Sequence, residues 1–348
     1  MIPVIICGGV GTKMWPMSTP STPKHFLPLI DGKSLFQINW RVLRKWFKPE
    51  EIYIQTNAIQ AKLARQQVPE LVTENIFIEP ETRNQGPANG LIAANLIKLG
   101  KGGSPFMIIQ ADVLRRPENE LMNFLNIAEK YILATGKYVT SGFVPTWHLG
   151  GVDYLLKGDL VAEENGVKIF EVADFIDRSE VDKIKELMGS GKLLLHTNHS
   201  SMTPNGMLSM FKKYRREWYD PLTAIANGAD IDTEFVKMPK DQIEVVTQLS
   251  HRDGQSLVIE NNFDWVDFGT WEAVSKYYDD LGVTPGIGGS TQIDGENNFL
   301  WSETGKTIAT IGLSDIVVID SSNGVLVTKK ESSSKVNQIV DKINSGDL

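Results

Sequence analysis

Four short apolar runs in the first third of the chain, separated by stretches of a different period, restrict the fold more than any other feature. Residues 4–7, 52–55, 75–78 and 106–109 are rich in Val, Ile, Tyr and Phe without strict alternation, as strands buried on both faces require. Residues 34–47, 58–67 and 87–99 instead space their apolar side chains at the helical period. Strand and helix in alternation predict an α/β fold, a Rossmann-like mixed, mostly parallel sheet flanked by helices. Ligands of such sheets bind beyond the carboxyl ends of the strands. The loops at 8–15, 79–85 and 112–116 are therefore where chemistry is expected.

Residues 140–270 are less regular, with a hairpin-like run at 166–176 and a helix expected at 180–188. A glycine-rich break, Pro285-Gly286-Ile287-Gly288-Gly289, follows. Beyond it, strands are expected at 307–311, 316–319 and 325–328, with turns at Gly312-Leu313-Ser314-Asp315 and Ser322-Asn323-Gly324 and a closing helix at 333–344. The expected organisation is one large domain over residues 1–283 and a small β-rich C-terminal domain over 284–348 that ends in a helix.

A composition of 41% hydrophobic and 22% charged residues supports a sizeable core. The net charge is −8, and the densest basic patch, Lys212, Lys213, Arg215 and Arg216, reads as a solvated helix face. That excludes a nucleic acid partner. The one cysteine, Cys7, lies in the first apolar run, which fits a reducing compartment. No run approaches the ~20 apolar residues of a membrane span, and the first residues lack the basic lead and long apolar run of a secretion signal. A cytoplasmic protein is expected.

Gly8-Gly9-Val10-Gly11-Thr12-Lys13 directly follows the first strand. Glycines there let the backbone approach a polyphosphate and offer it consecutive N–H groups, while a cation balances its charge. A dinucleotide fingerprint would run on into a helix, which Met14-Trp15-Pro16 interrupts, and a Walker loop would close on Gly-Lys-Ser/Thr, which is absent. A bare glycine turn remains open. Pro16, Pro20 and Pro23 are expected to keep the chain extended and deliver Lys24 beyond the glycines. Lysines on both sides of such a loop suit a departing pyrophosphate.

Asp112 follows the strand at 106–109, and Asp267 precedes a helix in Phe263-Asp264-Trp265-Val266-Asp267-Phe268-Gly269. One or two carboxylates commonly hold Mg²⁺ in phosphoryl chemistry. Each Asp can equally be a turn or cap residue. In Glu79-Pro80-Glu81-Thr82-Arg83-Asn84-Gln85-Gly86-Pro87-Ala88, Asn84 also reads as a helix cap and Pro87 as first-turn proline.

Gly8-Gly9-x-Gly11-Thr12-Lys13-x-Trp15-Pro16 with Pro23-Lys24-x-Phe26-Leu27 resembles the signature of the mannose-1-phosphate guanylyltransferases, and the likeness extends over nearly the whole chain. The resemblance implies an enzyme that joins GTP to a sugar 1-phosphate, by default α-D-mannose 1-phosphate, and releases pyrophosphate. It implies catalytic roles for Lys13, Lys24, Asp112 and Asp267, with Mg²⁺ on the two aspartates. Gly8, Gly9, Gly11, Thr12, Lys13, Glu79, Arg83 and Asn84 are implied to bind the nucleotide. Gly151, Asp177, Arg178, His196 and Glu244 fall where the family binds the sugar phosphate.

That sugar side departs from the family pattern. Phe-x-Glu-Lys-Pro has become Phe175-Ile176-Asp177-Arg178-Ser179, and His196 is placed where the sugar-binding Asn is expected. His196 and His199 are not read as a metal pair, because no Cys or further His completes a ligand set. The competing reading is a catalytically impaired homologue that binds GTP or GDP-sugar as a regulatory subunit. The expected partners are GTP and a sugar 1-phosphate, with a homodimer as the candidate assembly.

Overall fold

The computed structural model describes residues 1–9, 11–283 and 288–345. Four parallel strands form one half of its main sheet: β1 (Ile2–Ile6), β2 (Tyr53–Thr56), β3 (Ile76–Ile78) and β4 (Phe106–Gln110), in the order β4-β1-β2-β3. All four expected strands are present, within one or two residues of their bounds. Three helices lie near these strands: α1 (Leu35–Leu43), α2 (Ala58–Gln67) and α3 (Gln85–Lys98). A capping box of Ser34 and Gln37 opens α1, and Asn57 caps α2. The helix α1 stops four residues short of expectation, ahead of Lys48-Pro49, where the residue before proline disfavours helical backbone.

The chain continues through β5 (Val113–Arg116), α4 (Glu118–Thr135), β6 (Tyr138–Phe143), the long hairpin β7 (Tyr154–Glu164) and β8 (Val167–Ile176), α5 (Val181–Leu187), β9 (Leu193–His196) and the short β10 (Ser201–Met202). Later come β11 (Ser256–Glu260), parallel to β6, and β12 (Asp264–Asp267), antiparallel to β5. The full order of the ten-stranded sheet is β11-β8-β7-β9-β6-β10-β4-β1-β2-β3, mixed as expected.

Strand side chains alternate between two apolar layers. Ile5, Met107 and Ile109 join the core on the α1, α2 and α4 side, while Val4, Phe106 and Ile108 join the other. That second layer is covered by α3 and by four helices in the region expected to be irregular: α6 (Pro204–Tyr214), α7 (Arg216–Ala226), α8 (Ile231–Phe235) and α9 (Glu244–Arg252). Pro221 lies inside α7 and Arg215 breaks the chain between α6 and α7, which hides their period in the sequence. The contact is close: a Cβ on Gly86 of α3 would lie 2.0 Å from the Trp218 ring, and one on Gly90 would lie 2.2 Å from Leu222. The basic run therefore forms no single helix face. It straddles the α6–α7 junction, with Lys213, Arg215 and Arg216 paired to Asp253, Asp241 and Asp220.

After α10 (Trp271–Leu281) the C-terminal part is β-rich, as expected. It comprises β13 (Ser290–Ile293), β14 (Phe299–Ser302), β15 (Ile308–Ile311), β16 (Ile316–Ser321) and β17 (Gly324–Lys329). Pairs β13–β15 and β14–β16 are parallel, and β16–β17 is a hairpin. The closing helix α11 (Val336–Ser345) starts later than expected, after a 3₁₀ turn over Lys330–Lys335. The expected boundary at 283/284 and most of the glycine-rich break lie outside the described residues. This region grips the glycine-loop segment: Ser321 Oγ and Asn323 Nδ2 both donate to the Pro16 carbonyl, at 3.1 and 3.0 Å.

Candidate active site

The glycine loop leaves β1 between β2 and β4. Cys7 N donates to Gln55 O, and Ala111 N donates to Ile6 O. Gly9 and Gly11 both have positive φ, +73° and +71°, which a side chain would strain. The loop then closes into a 3₁₀ turn over Thr12–Met14, and Ser18 Oγ donates to Gly11 O at 2.6 Å. The stretch to Lys24 is thus folded back, not extended as expected, and a second 3₁₀ turn begins at Lys24 itself. A Cβ on Gly11 would lie 2.6 Å from both Cβ and Cγ of Lys24, so glycine is what lets the lysine stem pass.

Lys24 Nζ lies 2.7 Å from Asp112 Oδ2 and 3.4 Å from Asp267 Oδ1. The β5–β12 ladder makes this meeting possible, because its register sets Asp267 opposite Val113, next to Asp112. Burial opposes the charge on Lys24, but the two carboxylates outweigh it and raise its pKa. Burial likewise opposes charge on Asp112, yet the Lys24 ammonium holds it ionised, while burial and Asp112 push Asp267 upward. Lys13 is exposed on the first turn, and its charge favours ionised Asp267.

A cavity of about 330 Å³ opens beside this trio, at the carboxyl ends of β1 and β4 and the start of α3. Gly8, Gly9, Glu79, Asn84 and Asp112 line it. Asn84 is the N-cap of α3 at φ +64°, but its side chain makes no cap bond and faces the cavity. Glu79 accepts a bond from Arg83 N at 3.2 Å, and burial raises its pKa to about 7. The side chain of Arg83 was expected to bind nucleotide but turns away. It donates to Met238 O and to Glu81 and is absent from the cavity wall. Its guanidinium instead ties the loop to the chain after α8, because Glu81 and a free carbonyl offer it partners there.

The expected sugar-side residues do not assemble as a set. His196 is buried in the sheet: Thr140 Oγ1 bonds its Nε2 at 2.9 Å, Phe175 meets it edge-on, and burial lowers its pKa to about 4. It is a core residue, since its position on β9 points it between sheet and α9. Asp177 is a turn residue that accepts from Ser179 N and Oγ. Arg178 is clamped by Asp153, whose two oxygens take its Nε and one terminal nitrogen, while Gly151 O accepts from the other. Gly151 serves through that carbonyl, at φ +81°.

Glu244, at the start of α9, accepts from Asn198 Nδ2 at 2.9 Å, and burial raises its pKa. Asn198 itself lines the cavity and also donates to Gln85 Oε1. It is the polar side chain that sequence reasoning missed, two residues beyond His196. Its backbone is left-handed, φ +54°, a conformation that favours asparagine, and no local pattern in the sequence marks it. Gln110, His25, Asn57, Asn89 and Gln242 are among the further polar side chains of the cavity wall.

Among the described residues no three His, Cys, Asp or Glu side chains cluster to hold a metal. Asp112 and Asp267 nevertheless bring two hard oxygens onto one cation position, now served by Lys24 Nζ. Mg²⁺ is ordinarily held by one or two carboxylates completed by phosphate oxygens and water. The donor set fits that ion.

A doubly covered α/β sheet with a glycine loop, paired lysines and paired carboxylates at its carboxyl edge is the architecture of a nucleotide-handling enzyme. The chain belongs to the nucleotidyl transferase family, which it matches over residues 2–282, and is a nucleotidyltransferase. Residues 288–343 match the mannoseP isomerase/GMP-like β-helix domain. Among known proteins it is similar to the mannose-1-phosphate guanylyltransferases of Salmonella muenchen and Escherichia coli (strain K12). Each is 26% identical over 99% of this chain and 74% of the relative. Its fold resembles that of mannose-1-phosphate geranyltransferase from Thermus thermophilus, with TM-score 0.84, 21% identity and 98% of each chain covered. Mannose-6-phosphate isomerase from Helicobacter pylori matches less fully, with TM-score 0.59, 18% identity, and 76% of this chain and 98% of that one covered. No helix among the described residues is long and apolar enough to cross a membrane.

Proposed function

We propose that this nucleotidyltransferase is a guanylyltransferase that joins GTP to a sugar 1-phosphate, in the first instance α-D-mannose 1-phosphate. The observation that carries the reading is the convergence of Asp112, Asp267 and Lys24 at the edge of a cavity floored by Gly8 and Gly9. The names of the relatives support the choice of substrates.

A phosphate oxygen of the sugar 1-phosphate attacks the α-phosphorus of GTP in line. The new P–O bond forms as the bond to the β-phosphate oxygen breaks, and pyrophosphate leaves with the electron pair. A sugar phosphate is already ionised at neutral pH, so no general base is needed. Lys13, on its exposed turn, neutralises the β- and γ-phosphates, and Lys24 offsets charge gathering on the α-phosphate. Asp112 and Asp267 would hold Mg²⁺, which supplies positive charge to the phosphates when bound. Glu79 and Asn84 sit on a rigid loop where acceptor oxygens can read the N1–H and N2–H₂ donors of guanine. Asn198, held by Glu244, faces the acceptor.

The test is pyrophosphate release by purified protein with GTP, Mg²⁺ and a panel of sugar 1-phosphates, with UTP, TTP and ATP in parallel. Release with GTP and one sugar phosphate is expected, together with its loss in Asp112→Ala. Tight GTP or GDP-sugar binding with no release from any pair would assign the regulatory role instead.

A further inference from the structure

Arg115 is 3% exposed on β5, three residues past Asp112, and among the described residues it forms no ion pair. Every hydrogen bond it makes is to a neutral group. Its Nε donates to His199 Nε2 at 2.9 Å, one terminal nitrogen donates to Asn39 Oδ1 at 2.9 Å, and the other donates to Gln110 Oε1 at 2.6 Å. Burial opposes its charge and Asp112 favours it only from beyond ion-pair distance, so this cation contributes no more stability than a well-packed apolar side chain would. Its geometry is what sets it apart, because the planar fork fixes three partners in three directions at once.

Those partners lead to the two halves of the site. Asn39, on α1, passes its other face to the backbone around Asp112: its Nδ2 donates to Val113 O at 2.9 Å and to Ala111 O at 3.3 Å. Gln110 turns its amide the other way and donates to Thr197 O and Asn198 O, both at 2.9 Å. His199 holds the same loop from beneath. Because Arg115 must donate to its Nε2, the ring proton lies on Nδ1, which faces Ser141 Oγ at 3.0 Å and Thr197 Oγ1 at 2.9 Å. One guanidinium thus braces the Asp112 turn through Asn39 and the Asn198 turn through Gln110 and His199.

We infer that Arg115 and Gln110 are positioning residues that hold the acceptor-side Asn198 at a fixed place relative to the phosphate-side Asp112. The inference deepens the proposed function and rests on it for the identity of the substrates, but not for the bracing itself. Neither residue is catalytic. A misplacement of about 1 Å between two such groups is enough to cost a large part of the rate.

Gln110→Glu separates bracing from folding. The carboxylate still accepts from Arg115, and more strongly, while the two donations to the Thr197 and Asn198 carbonyls are replaced by repulsion. Its crystal structure is expected to show Asn198 withdrawn from Gln85 and Glu244, with the Lys24–Asp112 pair in place. Kinetics with GTP and mannose 1-phosphate are expected to show acceptor KM raised at least tenfold, and raised more than GTP KM, since Gln110 also lines the cavity. Arg115→Lys, a point charge without the fork, is expected to move both turns and raise both constants. An unmoved Asn198 in Gln110→Glu, or a moved Asn198 with unchanged acceptor KM, would overturn the inference. If the wild-type protein turns over no sugar phosphate with GTP, the functional reading has failed, and the position of Asn198 in the variant structures alone decides the bracing.

Discussion

Gly11→Ala is the sharpest perturbation of the phosphate-side geometry, because two separate costs can be read from the backbone. The residue sits at φ +71°, where a Cβ costs about 1–2 kcal/mol. The new methyl would also lie 2.6 Å from Lys24 Cβ and Cγ and 2.9 Å from Cδ. These atoms belong to the stem of the lysine, not to its mobile end, so Lys24 must retreat by about 1 Å or distort at a cost of about 1–3 kcal/mol. The total expected loss is about 2–5 kcal/mol. A lysine displaced that far cannot keep its 2.7 Å contact with Asp112, and a loss of about 100-fold in kcat is expected.

Gly9→Ala supplies the comparison. Gly9 has nearly the same φ, +73°, but its built Cβ meets nothing within 4 Å. It should carry only the backbone cost of about 1–2 kcal/mol. Urea denaturation of both variants, followed by tryptophan fluorescence, measures the difference, and pyrophosphate release measures the catalytic loss. Equal stabilities for the two variants, or an undiminished kcat in Gly11→Ala, would refute the claim that glycine is needed there to let Lys24 pass.

Glu79 gives a pH signature. Its pKa rises on folding from an ordinary 4.5 to about 7, so the folded state holds the proton longer than the unfolded chain and stability falls as pH climbs through that window. The span corresponds to about 3 kcal/mol, and Glu79→Gln should remove that fall, gaining on the wild type between about pH 5 and pH 8 in urea midpoints. Asp153→Asn removes a buried counter-ion from half-exposed Arg178 and should cost about 1–2 kcal/mol by thermal denaturation, with a raised acceptor KM and an unaltered GTP KM. Ser321→Ala and Asn323→Ala each delete a bond to the Pro16 carbonyl and should each cost about 1 kcal/mol. Their combination should lower kcat severalfold, while loss of stability with unchanged kcat would show that the C-terminal grip does not reach the glycine loop.

The parallel half of the sheet was legible in the sequence because its strands are buried on both faces and its helices carry clean caps, as in Ser34 and Asn57. The glycines after the first strand and the lysines beside them are likewise local features, and they pointed to the loop that the fold sets beside the cavity. The helices α6 to α9 were hidden, since Pro221 and the break at Arg215 disturb a local period that packing against Gly86 and Gly90 restores.

The proposed acceptor side was decided only in three dimensions. His196 and Asn198 lie two residues apart, and nothing local says which one faces the cavity; β9 buries the first, and a left-handed turn presents the second. Arg83 looked like a nucleotide ligand until the chain after α8 offered it a carbonyl and a carboxylate. Even the meeting of Asp112 with Asp267 depends on a β5–β12 register between strands far apart in sequence. A sequence fixes what each residue can do chemically and how its near neighbours bend, since backbone preference and apolar period act over a few residues. Which side chains share a site depends on long-range pairing and burial, and those forces act only once the chain has closed on itself.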